Sequence, residues 1–159
     1  MRTKAFKRSI LSIAAAFTAV ASPLSIAQKN HIIEGFWKND QIGLVDVRPC
    51  DHKPREYCAY AVKIPAKAAE QLSQDIKRYP GQGQGVLIVE RLKAKDNQTL
   101  DNGRLENINS SLARRATIRI SYKDSRTATL SGRMMFFHKS IDFTRPDPQT
   151  IAPFTPKSP

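Results

Sequence analysis

The chain has 159 residues, with 26 basic and 14 acidic side chains and a formal net charge of +12. This length predicts one domain with a hydrophobic core and excludes a multidomain organisation. A basic balance favours anionic partners such as lipid headgroups or acidic polysaccharides, although a solvated basic surface without a dedicated partner has the same composition.

The first 27 residues have the pattern of a signal peptide. Four basic side chains, without an acidic one, precede the apolar run "ILSIAAAFTAVA", and Ser25 and Ala27 stand as small residues before Gln28. The run is short for a membrane-spanning helix, so cleavage rather than anchoring is expected. Cleavage leaves 22 basic against 14 acidic residues, a net charge of +8. We therefore expect an exported protein, in the periplasm or outside the cell, with no transmembrane segment once mature.

The chain contains two cysteines, Cys50 and Cys58, on either side of the polar stretch "DHKPREY". An even number of cysteines in an exported chain predicts one disulfide bond. A zinc site built from both cysteines and His52 is the alternative, but it lacks a visible fourth ligand. We therefore predict a disulfide, with no metal site and no cofactor.

Eight segments alternate between apolar and polar residues, which is the pattern of half-buried β-strands. Turn residues such as "KDNQ" and "DNG" separate some of them. In chain order the segments are "IIEGFW", "GLVDV", "YCAYAVKI", "VLIVERLK", "GRLENI", "RATIRISY", "ATLSGRMMFF" and "SIDFTR".

One stretch between the third and fourth segments has helical spacing. Pro65 can open a helix at its first turn, and Leu72 and Ile76 then fall on one face, which predicts a helix over residues 66–79 that is either a lid or a packing element. The loop "PGQGQG" follows this helix. It lacks the strand-to-helix context and the lysine of a phosphate-binding loop, so it is interpreted as a connector.

The end of the chain differs from the rest, because "PDPQTIAPFTPKSP" holds five of the ten prolines. Such a segment predicts an extended tail. The remaining pattern favours an all-β fold with one helix, as an antiparallel eight-stranded barrel or a strongly curved sheet. The predicted organisation is a signal peptide over 1–27, a β-barrel domain over 28–146 and a proline-rich tail over 147–159.

The single tryptophan, Trp37, stands two residues after Gly35 at the start of the predicted barrel. A large ring at the end of a barrel can plug the opening and bury much apolar area. Gly35 would let the backbone curl beneath the ring. Arg145, from the last strand, is predicted to lie over the indole face and close the barrel.

The pattern G-x-W on the first strand with a basic residue from the last strand resembles the opening of lipocalins. The chain more closely resembles a bacterial exported family described as domain of unknown function 2147. The resemblance rests on Gly35 and Trp37 after a signal peptide, on Cys50 and Cys58 around a short loop, and on the ending "SGRMMFFHKSIDFTR". The sequence departs from the family at Phe143, where members often have Trp, and in the Lys- and Ala-rich segment after the cysteines. The resemblance implies a lipocalin-like barrel and no established activity.

Two functions fit these observations. The first is a lipocalin-like barrel that binds a small hydrophobic ligand, although the same inward residues could instead fill a solid core. The second is a cell-envelope interaction or stress protein that acts through a basic surface without a ligand pocket. The candidates for that surface are Arg104, Arg115, Arg119 and Lys123.

An enzyme is not expected from this sequence. The three histidines, His31, His52 and His138, show no recognisable triad spacing, although triads are defined by geometry rather than by sequence. Nucleic acid is not an expected partner of an exported protein. The pattern does not define an oligomeric state.

Overall fold

The computed structural model describes residues 31–72, 85–135 and 137–155. The predicted signal peptide, residues 73–79 of the predicted helix and the last four residues of the predicted tail lie outside this range.

The eight strands form a closed barrel in which every strand pairs with its neighbours in sequence and β1 pairs with β8. All pairs are antiparallel, so the predicted eight-stranded antiparallel barrel is confirmed. Closure leaves no long strand edge exposed to other chains. The strands are β1 Gly35–Asn39, β2 Gly43–Cys50, β3 Lys53–Lys63, β4 Val86–Asp96, β5 Thr99–Leu105, β6 Thr117–Asp124, β7 Thr127–Met134 and β8 Phe137–Thr144.

Six of the eight strands begin at different residues from those predicted, and β1 and β5 show why. β1 starts at Gly35, because residues 31–34 form a turn in which the Glu34 N–H donates to the His31 carbonyl oxygen at 2.9 Å. β5 starts at Thr99, and the "DNG" triplet lies inside it rather than in a turn. Asn102 has a φ of 64°, and the pairing with β6 shifts there. The turn-forming residues are therefore used for an irregularity within a strand.

The predictions for the helix over 66–79 and for the extended tail both need correction. α1 runs only from Ala66 to Ala69, because the backbone that follows pairs with the β5–β6 loop through Leu72 and Ile108. The tail is not extended: α2 covers Pro148–Ile151 and a 3₁₀ turn covers Ala152–Phe154. A proline in the first turn of a helix loses no hydrogen bond, so a proline-rich sequence can begin one.

The barrel has two different ends. The closed end holds residues 31–34, the short turns β2–β3, β4–β5 and β6–β7, and the chain as it leaves β8. The open end holds the β1–β2 and β7–β8 turns, the long β3–β4 connection and the β5–β6 loop with its 3₁₀ turn Ala113–Arg115. Because the longer connections all lie at the open end, that end offers the more variable surface.

Trp37 and Arg145 seal the closed end. The guanidinium carbon of Arg145 lies 3.7 Å from the centre of the Trp37 ring, in a cation–π arrangement. Trp37 is 2% exposed, and its indole N–H donates to the Ile33 carbonyl oxygen at 2.7 Å. The edge of Tyr122 also packs against the ring, with centroids 6.2 Å apart. The predicted contact between the first strand and the residue after the last one is present.

Arg145 also binds the backbone that enters the barrel. Its two terminal nitrogens donate to the carbonyl oxygens of Ile32, Glu34 and Phe36 at 2.9, 3.0 and 3.2 Å. Burial lowers the pKa of Arg145 from its ordinary value, yet an arginine keeps its proton at any physiological pH. The side chain therefore acts as a permanent cation with fixed donor directions.

Gly35 has a different role from the one predicted. Its φ is 100°, and a Cβ atom there would lie 3.1 Å from Arg145 Nη1. The glycine therefore makes room for the guanidinium, whereas the prediction placed it beneath the Trp37 ring. Its positive φ also turns the chain from the 31–34 turn into β1, a conformation that other residues rarely adopt.

The predicted disulfide between Cys50 and Cys58 is confirmed, with Cα atoms 5.1 Å apart. The bond joins the end of β2 to β3 near the closed end. Since both sulfurs are consumed, the alternative zinc site is excluded. Both cysteines belong to a small buried cluster with Tyr60 and Leu87 on the outer face of the barrel. The guanidinium of Arg48 covers Tyr60 at 4.0 Å, and burial raises the pKa of the Tyr60 hydroxyl.

We expect Trp37→Ala to lower the free energy of unfolding by about 3–5 kcal/mol, because it removes a fully buried aromatic ring. Arg145→Ala should cost less, since water can hydrate the carbonyl groups it leaves. The milder pair Trp37→Leu and Arg145→Met should show a coupling energy of about 0.5–2 kcal/mol in a double-mutant cycle measured by urea unfolding. The matched control combines Trp37→Leu with Arg48→Met, since Arg48 stacks on a different ring. Equal coupling in both cycles would refute the closing contact.

We expect the double variant Cys50→Ser/Cys58→Ser to lose about 2–3 kcal/mol of unfolding free energy, because the bond closes a short loop in the unfolded chain. Urea unfolding under oxidising conditions measures this difference. Alkylation of the denatured, unreduced wild-type protein should label no thiol. Labelling of two thiols would disprove the bond.

Candidate functional site

The interior of the barrel is hollow towards its open end. A cavity of about 640 Å³ is lined there mainly by apolar side chains. Val89, Ile118 and Phe143 line the cavity, and each is buried. Residues from the β3–β4 connection and the β5–β6 loop, among them Ile64, Leu72 and Ile108, line the upper wall.

The distribution of side-chain size explains why one end is filled and the other is hollow. Large side chains such as Trp37, Leu92 and Leu100 are buried in the barrel core without lining the cavity. Small residues, Ala61, Ala113, Ala116 and Gly132, line the cavity. A Cβ atom on Gly132 would reach Ile118 Cδ1 at 3.4 Å, which is ordinary contact. A large side chain on this wall would therefore occupy the cavity itself.

The rim of the cavity is apolar and exposed. Among the described residues, the large hydrophobic side chains that stand exposed are Leu112, Met135 and Phe137, at 57%, 83% and 75%. Leu112 belongs to the β5–β6 loop, and the other two belong to the β7–β8 turn and the start of β8. All three lie at the open end. Exposed apolar groups grouped at a cavity mouth are typical of binding sites, whereas isolated ones are ordinary.

Among the described residues, three polar ones line the cavity: Gln71, His138 and Lys139. Pairing of β7 with β8 sets Leu130 opposite Ile141 and Gly132 opposite Lys139. Since side chains alternate along a strand, Lys139 shares the inward row with Ile141. Within the part of the chain that the structure describes, no Asp or Glu lines the cavity.

The structure does not bring the four predicted basic-surface residues together. Arg119 donates to Asp101 at 2.7 Å, and Lys123 lies 3.7 Å from the Asp142 carboxylate. The hydrogen bond from Arg119 lowers the pKa of Asp101. Two of the four charges are therefore paired with acids, Arg119 with one on the neighbouring strand β5 and Lys123 with one on β8, two strands away. Arg115 ends the 3₁₀ turn at the open end and is exposed.

Arg104 belongs to a second, polar depression on the outer face of the barrel, with a volume of about 500 Å³. Two of its residues, Arg91 and Asn102, have φ angles of 62° and 64°. The Oε2 atom of Glu56 is buried there without a hydrogen-bond partner, although Lys53 Nζ lies 3.7 Å away. The full lining is Lys53, Glu56, Arg91, Lys93, Asn102, Arg104 and Thr117. From the sequence, only Arg104 among these residues was predicted to be a surface site, because the strand irregularities that bring the other residues together cannot be recognised from the sequence pattern.

The histidines lie at opposite ends of the barrel. His31 is buried at the closed end, where its Nε2 lies 2.7 Å from the Asp96 carbonyl oxygen and its Nδ1 accepts from the Ile33 N–H at 3.3 Å. Because a carbonyl only accepts, Nε2 carries the proton and both ring nitrogens are engaged. His52 lies in the β2–β3 turn, and His138 lies at the rim of the cavity. His31 thus has a structural role in holding the 31–34 turn to β4.

No group of three or more potential metal ligands is present in residues 31–72, 85–135 and 137–155. None of the helices in these ranges is long and apolar enough to cross a membrane.

Comparisons with protein-family models, with curated proteins and with solved structures found no match. The resemblance to domain-of-unknown-function family 2147 therefore rests on the residues quoted above.

Proposed function

We propose that this chain is an exported binding protein that holds one small hydrophobic or amphipathic molecule inside its barrel. The observation that carries the proposal is the apolar cavity of about 640 Å³ at the open end. Small-molecule sites are mostly apolar hollows of about 300–1,000 Å³ with a few polar groups. An eight-stranded barrel has an interior wide enough for one small ligand when side chains do not fill it.

The arrangement of the two ends supports a binding role. The packed closed end, with Trp37 and Arg145, gives the cavity a rigid floor that ligand entry does not disturb. The open end gives it an apolar mouth. Its polar lining offers Gln71, His138 and Lys139 but no hydroxyl, thiol or carboxylate. A Ser, Thr, Cys, Asp or Glu nucleophile is therefore lacking among the described lining residues, which favours binding over covalent catalysis by such a group.

Export is supported by two independent features. The segment over residues 1–27 has the sequence pattern of a signal peptide. The Cys50–Cys58 bond is of the kind that persists in oxidising compartments such as the periplasm. We infer that the mature protein is located in the periplasm or outside the cell.

We expect Ile141→Trp to abolish or strongly weaken binding of the neutral fluorescent probe N-phenyl-1-naphthylamine, because the larger ring enters the cavity. Ser140→Trp is the matched control, since Ser140 is the preceding residue on β8, is exposed and does not line the cavity. Fluorescence titration of the purified, delipidated protein measures both. Absence of probe binding by the wild-type protein, or equal loss in both variants, would contradict the proposal.

The alternative, an envelope protein acting through its basic surface, has weaker support because Arg119 and Lys123 are paired with acids. If surface charge governs function, the protein should bind vesicles of anionic phospholipid at low salt. It should release them near physiological ionic strength, where the screening length is about 8 Å. Vesicle sedimentation measures this, and Ile141→Trp should leave it unchanged. No binding at low salt would eliminate the electrostatic function.

A further inference from the structure

We propose that the natural ligand is a single-chain amphiphile with an anionic head group, whose head pairs with Lys139 at the mouth while its chain fills the cavity. This inference rests on the proposed function, since it assigns the chemical class of the molecule that the cavity holds.

The position of Lys139 on β8 supports an anionic head group at the mouth. Going up β8 from the closed end, the inward row holds Phe143, Ile141, Lys139 and Phe137, and all four line the cavity. Phe143 is 5% exposed, whereas Lys139 is in the exposed class. The lysine therefore stands where the apolar cavity meets the solvent. A lysine at such a boundary keeps its methylene stem against apolar surface and its ammonium in water.

The residue that faces Lys139 leaves space for a head group. Lys139 pairs with Gly132 on β7, so no side chain from that strand occupies the space beside the lysine. Its other ladder neighbours along the inward row, Ile141 and Phe137, are apolar. The ammonium therefore has room to meet a ligand atom at the mouth.

The lack of carboxylates around Lys139 also supports an anionic ligand. Three other described lysines, Lys38, Lys53 and Lys123, each lie within 4.0 Å of a carboxylate, whereas the remaining four besides Lys139 have no carboxylate at that distance. Lys139 has no such partner among the described residues, and no acidic side chain in these residues lines the cavity. A cation beside an apolar hollow without an internal carboxylate favours a ligand that supplies the negative charge. A cationic amphiphile would instead bring two like charges together.

The distribution of apolar and polar residues around the cavity indicates the rest of the ligand. The buried part of its wall includes Val89, Ile118 and Phe143, all apolar. The polar residues of the described lining, Gln71, His138 and Lys139, are all exposed and lie at the open end. This separation fits a molecule with one polar head and one apolar tail. The carboxamide of Gln71 can add a hydrogen bond to the same head group, because an amide nitrogen donates to carboxylate or phosphate oxygens.

The test uses three probes that share one twelve-carbon chain: dodecanoate, 1-dodecanol and dodecyltrimethylammonium. Each competes with N-phenyl-1-naphthylamine for the delipidated wild-type protein. The variants are Lys139→Gln, which removes the charge, and Lys95→Gln as the matched control. Lys95 is exposed near the closed end of β4 and does not line the cavity.

For the wild-type protein we expect dodecanoate to bind about tenfold more tightly than 1-dodecanol, which corresponds to about 1.4 kcal/mol. Dodecyltrimethylammonium should bind most weakly. Lys139→Gln should reduce dodecanoate affinity about tenfold and leave 1-dodecanol unchanged. Lys95→Gln should reproduce the wild-type order.

The remaining outcomes would contradict either the assignment of the head group or the binding function itself. Equal binding of all three probes, or a dodecanoate preference that survives in Lys139→Gln, would overturn the assignment of the head group and leave the binding function intact. If the preference for dodecanoate is lost equally in Lys95→Gln, the preference reflects the overall positive charge of the protein, and the inference is overturned. If neither these probes nor the neutral fluorescent probe bind, the proposed function itself fails.

Discussion

The contact between Arg145 and the first strand is the constraint on which the barrel depends. The junction between β1 and β8, called the seam below, has one residue pair in its ladder, Lys38 with Thr144. Side chains supply the remaining attachment. Arg145 stacks on Trp37 and donates to three backbone carbonyl groups before and within β1, and Asn39 donates to the Asp142 carbonyl oxygen at 2.9 Å. Without these groups the molecule would be an open sheet with two unpaired edges.

Sealing one end makes a cavity at the other end possible. The free energy of folding comes largely from burial of apolar surface, and the closed end concentrates large buried side chains such as Ile33, Leu92 and Leu100. The open end can then hold small residues and an unfilled volume, which by itself weakens packing. The molecule thus separates the region that stabilises the barrel from the region that would bind a ligand.

Much of this fold can be read from the sequence, and the reasons for the failures are physical. Period-two alternation identified all eight strands, and the export pattern predicted the disulfide. The helix over 66–79 was wrong in its described part, because side-chain spacing does not reveal that Leu72 pairs with the β5–β6 loop. The cavity and the place of Lys139 at its mouth depend on strand register. That register sets Gly132 opposite Lys139 and Asp101 within reach of Arg119, and neither relation follows from local pattern.

The closing contact also has a consequence for the order in which the chain folds. Arg145 and Phe36 are 109 residues apart in sequence, so bringing them together costs the entropy of closing a very long loop. Structures dominated by such distant pairings fold slowly. The β2–β3 and β6–β7 hairpins can form locally, but the seam needs the last residues of β8. A nascent chain therefore cannot complete the barrel until its C-terminal strand has been delivered.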